Sequence, residues 1–164
     1  MRRRNEGARK QRDDGNLANH DPEPRLAQPS GSFPAVLVSP LSGRSAGTDD
    51  SGFLLVEWTD EGGTTSRDFP IAPAHIHHAD DECWYVLDGR LGFKLGDEEV
   101  EAGPGDAVFV PAGTPHAYWN ANDGPTRYLL VVTRRIADLL HELHAEGATD
   151  FPAIFRKYES ELSC

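Results

Sequence analysis

Three histidines and one carboxylate fall at offsets that let their side chains meet. His75 and His77 are two residues apart, so on a β-strand both imidazoles point to one face. Glu82 follows five residues after His77, near enough to return to that face as the next apolar run begins. His116 lies 39 residues after His77, directly past the stretch Pro-Ala-Gly-Thr-Pro at 111–115. Neutral imidazole and carboxylate are ligands for a first-row transition metal, and three or four of them leave coordination positions for substrate or water. Pro111 fixes its own φ and Gly113 suits the close of a turn, so the chain can reverse and aim His116 inward.

The elements that must carry these residues are short and β-rich. Apolar runs at 35–38, 53–58, 75–78, 83–87, 91–95, 107–110, 116–119 and 128–133 recur at spacings that suggest an all-β sandwich or barrel. Asp88-Gly89 reads as a hairpin turn between two alternating runs, and Gly62-Gly63 as a second. The last thirty residues change character. In 134–146, Ile136, Leu139, Leu140 and Leu143 stand at helical spacing before Gly147. Asp150 is placed to cap a second helix with Pro152 in its first turn and Ile154, Phe155, Tyr158 and Leu162 on its apolar side. These helices read as structural cover for an open edge or end of the barrel. Residues 1–32 are polar, carry Pro22, Pro24 and Pro29 and have no apolar periodicity, which reads as a disordered tail. The expected organisation is a tail at 1–32, a barrel domain at 33–133 and a helical extension at 134–164.

The spacing of the candidate ligands resembles that of the cupin family. The first family motif, G-x5-H-x-H-x3/4-E-x6-G, is matched by His75, His77, Glu82 and Gly89. The second, G-x5-P-x-G-x2-H-x3-N, is matched by Gly105, Pro111, Gly113, His116 and Asn120. Nine positions at fixed offsets, each with about a 5% chance from average composition, coincide about once in 10^12 starts. The opening glycine of the first motif is replaced by Phe69; that glycine serves the backbone, so the ligand assignment stands. The resemblance implies an all-β fold, a single jelly-roll β-barrel with C-terminal helices. It also implies one divalent transition metal per chain, Fe, Ni, Co, Mn, Cu or Zn, on His75, His77, Glu82 and His116. Relatives use the residue equivalent to Glu82 both as ligand and as general base, and many pair as homodimers through the outer sheet.

The remaining side chains on the inward faces bear on substrate. Trp84 and Val86 share the side of Glu82, and Tyr118 shares the side of His116. Trp84 and Tyr118 are therefore the candidate pocket residues, with Phe93 as a further aromatic, while Phe109 and Trp119 are read as packing. Cys83 and His78 alternate away from the ligands, and His141 and His144 are read as solvated helix residues. With no clustered inward Arg or Lys, the pocket suits a planar or apolar organic molecule better than a sugar phosphate.

Composition narrows the partners. The chain has 164 residues and a net charge of -11, but residues 1–12 hold six basic groups and one acid. That segment is +5, so the rest carries -16, and so acidic a body repels phosphate backbones, which argues against nucleic acid as main partner. No apolar run is long enough to span a membrane, and two cysteines make no disulfide scaffold. The sequence reads as a cytoplasmic protein with a small-molecule substrate. The reaction expected from similarity to quercetinase-like small cupins is that of a dioxygenase. The rivals are a metal-dependent isomerase, lyase or decarboxylase, and a non-catalytic barrel that binds a small ligand.

Overall fold

The computed structural model describes residues 41, 44–48 and 50–163. The 1–32 segment, the run at 35–38 and Cys164 lie outside them. Ten strands and two helices follow one another as β1 (Ser45–Ala46), β2 (Leu54–Asp60), β3 (Ala72–His77), β4 (Glu82–Asp88), β5 (Leu91–Leu95), β6 (Glu98–Ala102), β7 (Ala107–Val110), β8 (His116–Asn120), β9 (Thr126–Val132), α1 (Arg134–Leu143), α2 (Phe151–Lys157) and β10 (Ser160–Leu162). They form two five-stranded antiparallel sheets, ordered β1-β2-β9-β4-β7 and β10-β3-β8-β5-β6. This is a jelly-roll barrel with two short helices after it.

Alternation along the strands builds the core. Trp84 and Val86 of β4 and Tyr128, Leu130 and Val132 of β9 face Leu91 and Phe93 of β5 and Tyr118 of β8 across the sandwich. Each is nearly or wholly buried; full burial of one such aliphatic or aromatic side chain is worth about 1.5–3 kcal/mol. The intervening residues point outward.

Apart from the β1–β2 and β5–β6 pairs, successive strands lie in opposite sheets, and this changes the reading of the glycine turns. Asp88-Gly89 joins β4 to β5, which belong to different sheets, so it is a crossover and not a hairpin. Gly89 has φ 80°, and a Cβ there would stand 2.4 Å from Thr126 Oγ1 and 2.8 Å from the Pro125 carbonyl, so no other residue fits the corner. The Gly62-Gly63 loop likewise passes from one sheet to the other. A two-residue hairpin does occur, at Gly96-Asp97, where Leu95 pairs with Glu98 and Gly96 has φ 58°.

The loop after β8 is closed by Asn120, which is 3% exposed. Its Nδ2 donates to Asp60 Oδ1 and the Gly124 carbonyl, both at 2.9 Å. Its Oδ1 accepts from Asn122 N at 2.9 Å and Thr126 Oγ1 at 2.7 Å. This motif asparagine thus holds the barrel together at the closed end.

Helix α1 starts at Thr133, whose Oγ1 accepts from Ile136 N and donates to Asp80 Oδ1 at 2.7 Å. Helix α2 starts at Asp150 with Pro152 in its first turn. It stops at Lys157, and Leu162 lies on β10 instead of on the helix. No helix among the described residues is long and apolar enough to cross a membrane.

Candidate metal centre

The four residues singled out by spacing come together from both sheets. His75 and His77 are on β3, and His116 opens β8 with His75 as its register partner. Glu82 opens β4 in the facing sheet. Their ligand atoms all lie within 4.8 Å of one another, and all four residues are buried. Two loops hold this arrangement. Gly113, at φ 83°, donates its N–H to the His77 carbonyl at 2.7 Å, and Ala112 N donates to Asp81 Oδ1 at 2.8 Å. The turn before His116 is thereby tied to the loop before Glu82. Pro73, which cannot donate to a ladder, sits where the β3–β8 register shifts.

Ring orientation follows from the outer nitrogens. His75 Nδ1 lies 2.7 Å from the Pro73 carbonyl, and His116 Nδ1 lies 2.9 Å from the Thr114 carbonyl. A carbonyl only accepts, so both Nδ1 atoms carry the proton. His77 Nδ1 meets Ser160 Oγ at 2.7 Å, and that hydroxyl donates its own proton to the Tyr158 carbonyl at 3.0 Å, so His77 Nδ1 also donates. In their neutral forms all three rings turn an Nε2 lone pair toward the cluster.

Glu82 Oε2 stands 3.0 Å from His116 Nε2 and 3.4 Å from His77 Nε2. Lone pairs and a carboxylate this close repel unless a cation lies among them. Burial alone would raise the Glu82 pKa, but the His116 and His77 side chains set against the carboxyl outweigh burial and lower it to about 2. Burial, reinforced by His116 and His77, lowers the His75 pKa to about 3. An ionised carboxylate and a neutral imidazole are the states in which these groups bind metal. The donor chemistry therefore fits one divalent transition ion.

Above the cluster is a cavity of about 270 Å³. His75, His77 and Glu82 line its polar part, and Trp84, Tyr118 and Leu130 line the barrel side. The Trp84 indole N–H lies beside the Tyr118 hydroxyl without completing a hydrogen bond. Burial pushes the Tyr118 phenol up to about 12, so it remains a proton donor. Phe93 lies outside the lining; it is fully buried and stacks on Tyr118 at 6.0 Å. Phe109 is 60% exposed and points outward, contrary to its reading as a packing residue. Trp119 does pack, covering Gly92 so closely that a Cβ there would meet its ring at 2.3 Å.

The opposite wall comes from the C-terminal helices, which the sequence suggested were only structural cover. Leu139, Leu140 and Leu143 of α1 and Phe151 and Phe155 of α2 line the cavity. His144 does so too, with its ring 5.9 Å from Trp58 and Nδ1 2.7 Å from the Leu140 carbonyl. Its position four residues after Leu140 was the available signal, since i and i+4 share a helix face. Among the described residues, no lysine or arginine lines the cavity. His78 is half exposed beside Glu161 at 3.7 Å, and burial raises the Cys83 thiol pKa; neither joins the cluster.

Residues 68–132 match the cupin domain family model, and that stretch contains all four clustered residues. A 55-residue stretch is 34% identical to an uncharacterized protein of Methanocaldococcus jannaschii, covering 34% of this chain and 44% of that one. Over 46 residues the chain is 44% identical to the quercetin 2,3-dioxygenase of Bacillus subtilis, covering 28% of this chain and 14% of the enzyme. The chain spans about half or less of the length of the curated relatives it matches. Among solved structures, the TT1209 protein of Thermus thermophilus is 28% identical, with 54% of this chain and 80% of that chain covered and a TM-score of 0.44.

Proposed function

We propose that the protein is a metal-dependent enzyme of the dioxygenase type acting on a small, apolar-bodied organic substrate with an enolic oxygen. The observation that carries the reading is the convergence of three outward-anchored imidazoles and an ionised carboxylate beneath an apolar cavity. His75, His77, His116 and Glu82 would hold one divalent ion. Such an ion would supply Lewis acidity toward a substrate oxygen and bring O2 into contact with it. The chain's own groups do the rest. The leucines and phenylalanines of the helices exclude water and seat the apolar body. Tyr118 and Trp84 offer hydrogen-bond donors to a substrate oxygen. Glu82 would take the substrate proton on a carboxylate oxygen when it leaves the metal. The similarity of one short segment to a quercetin dioxygenase favours oxygen chemistry.

The ionised Glu82 also favours a second reading, proton transfer without oxygen, as in an isomerase or lyase. Oxygen uptake separates the two. With metal-loaded protein and a panel of flavonols and β-diketones, the first reading expects substrate-dependent O2 consumption. Turnover with no O2 consumed would transfer the assignment to the second, and no turnover with any tested substrate would count against the dioxygenase reading.

The outer face of the β2-β9-β4-β7 sheet supports a homodimer. Cys83 pairs with Phe109 and Val131, and Tyr85 pairs with Leu129, which makes an apolar strip with Phe109 60% and Tyr85 42% exposed. Such a strip is the kind of surface a second copy covers.

A further inference from the structure

The outer nitrogens of His75 and His116 are held by carbonyls two residues earlier on their own chain segments. His77 differs: its Nδ1 is held by a side chain 83 residues away. We propose that Ser160 is a positioning residue for His77, so that the C-terminal strand completes the metal centre. The inference rests on the metal-centre reading above.

The register makes the contact specific. Strand β10 pairs with β3 so that Ser160 is the partner of His77 and Leu162 the partner of His75. Ser160 is 2% exposed, so no water substitutes readily for its hydroxyl. Because that hydroxyl is committed as donor to the Tyr158 carbonyl, it can only accept from His77. A fixed donor to an accepting oxygen selects the Nδ1–H tautomer and directs the Nε2 lone pair inward, the usual role of a partner behind a metal-bound histidine.

The entry to β10 is held with matching care. Glu159 is the sole described non-glycine residue at positive φ, 52°, a conformation that costs of order 1–3 kcal/mol when not supported. Its carbonyl accepts from His78 N at 2.9 Å, and its carboxylate pairs with Arg135. Arg135 Nε in turn lies 2.7 Å from Asp80 Oδ2, and Asp80 is tied to Thr133 at the start of α1. One ionic chain therefore links the loop before Glu82, the first turn of α1 and the kink that delivers Ser160. Glu142 adds a clasp between the ends of the two helices, accepting from Lys157 Nζ at 2.5 Å and Tyr158 Oη at 2.7 Å.

The test compares Ser160→Ala, Ser160→Cys and Ser160→Thr in the full chain. Cobalt(II) titration followed by its visible absorption reads affinity and ligand geometry, and long-range 1H–15N spectra of metal-free protein read the His77 tautomer. Loss of the partner should weaken cobalt binding about 10–100-fold in Ser160→Ala. It should also convert His77 from a single Nδ1–H form to a tautomer mixture. Ser160→Cys keeps the shape but accepts poorly, so it should fall toward Ala. Ser160→Thr keeps the hydroxyl and should stay near wild type. A folded Ala or Cys variant with wild-type affinity and an unmoved tautomer would overturn the Ser160 role alone. A wild-type protein that bound no cobalt would overturn the metal reading and this inference with it.

Discussion

At the scale of single residues, proton placement explains the site better than proximity does. Three histidines near a glutamate could as well be a hydrogen-bonded core. What distinguishes this cluster is that each Nδ1 is committed to an acceptor outside it, which leaves nitrogen lone pairs opposite a carboxylate. That logic assigns the site's affinity to the rings themselves. His116→Ala should reduce bound metal more than tenfold, since it removes one of four ligands. The far-UV circular dichroism spectrum and a cooperative melt should persist, because the core of Trp84, Phe93, Tyr128 and Leu130 is untouched. Full metal occupancy in that variant would refute the ligand assignment. These four residues were legible in the sequence because strand alternation and turn chemistry fix where a side chain points. Ser160 was not legible: a serine after a short helix carries no periodic signal, and its value depends on pairing across 83 residues.

At the scale of elements, the strands that carry the ligands were read correctly as alternating apolar runs, while their partners were not. In this jelly roll most consecutive strands belong to opposite sheets, so the neighbours in sequence around Asp88-Gly89 and Gly62-Gly63 are not neighbours in a ladder. Local turn propensity reports that the chain bends and is silent on which sheet it enters. β6 escaped detection for a different reason: Glu98, Glu99 and Glu101 make it an acidic edge strand without an apolar run. β10 is too short to show alternation. The crossover at Gly89 gives a sharp expectation. Gly89→Ala combines positive φ with a 2.4 Å approach to Thr126 Oγ1 and should destabilise by about 2 kcal/mol or more in urea denaturation. Gly52→Ala, where a Cβ meets nothing within 4 Å, should be close to neutral. Equal effects at the two sites would mean that the corner tolerates a side chain.

At the scale of the whole molecule, the barrel carries the histidine–glutamate cluster, and the C-terminal segment supplies a wall of the cavity and the Ser160 hydroxyl behind His77. The apolar strip on the other sheet is the surface proposed for a second copy. Replacing Phe109 and Tyr85 with Glu would bury charge in that contact, and sedimentation should change from dimer to monomer while metal content holds. A wild-type protein that sediments as a monomer at micromolar concentration would rule the dimer out. Metal content is the test of the proposed metal centre. Plasma mass spectrometry on tag-free protein purified without chelator should find about one Fe, Ni, Co, Mn, Cu or Zn per chain. A chain that stays metal-free after reconstitution with each of these ions would contradict it.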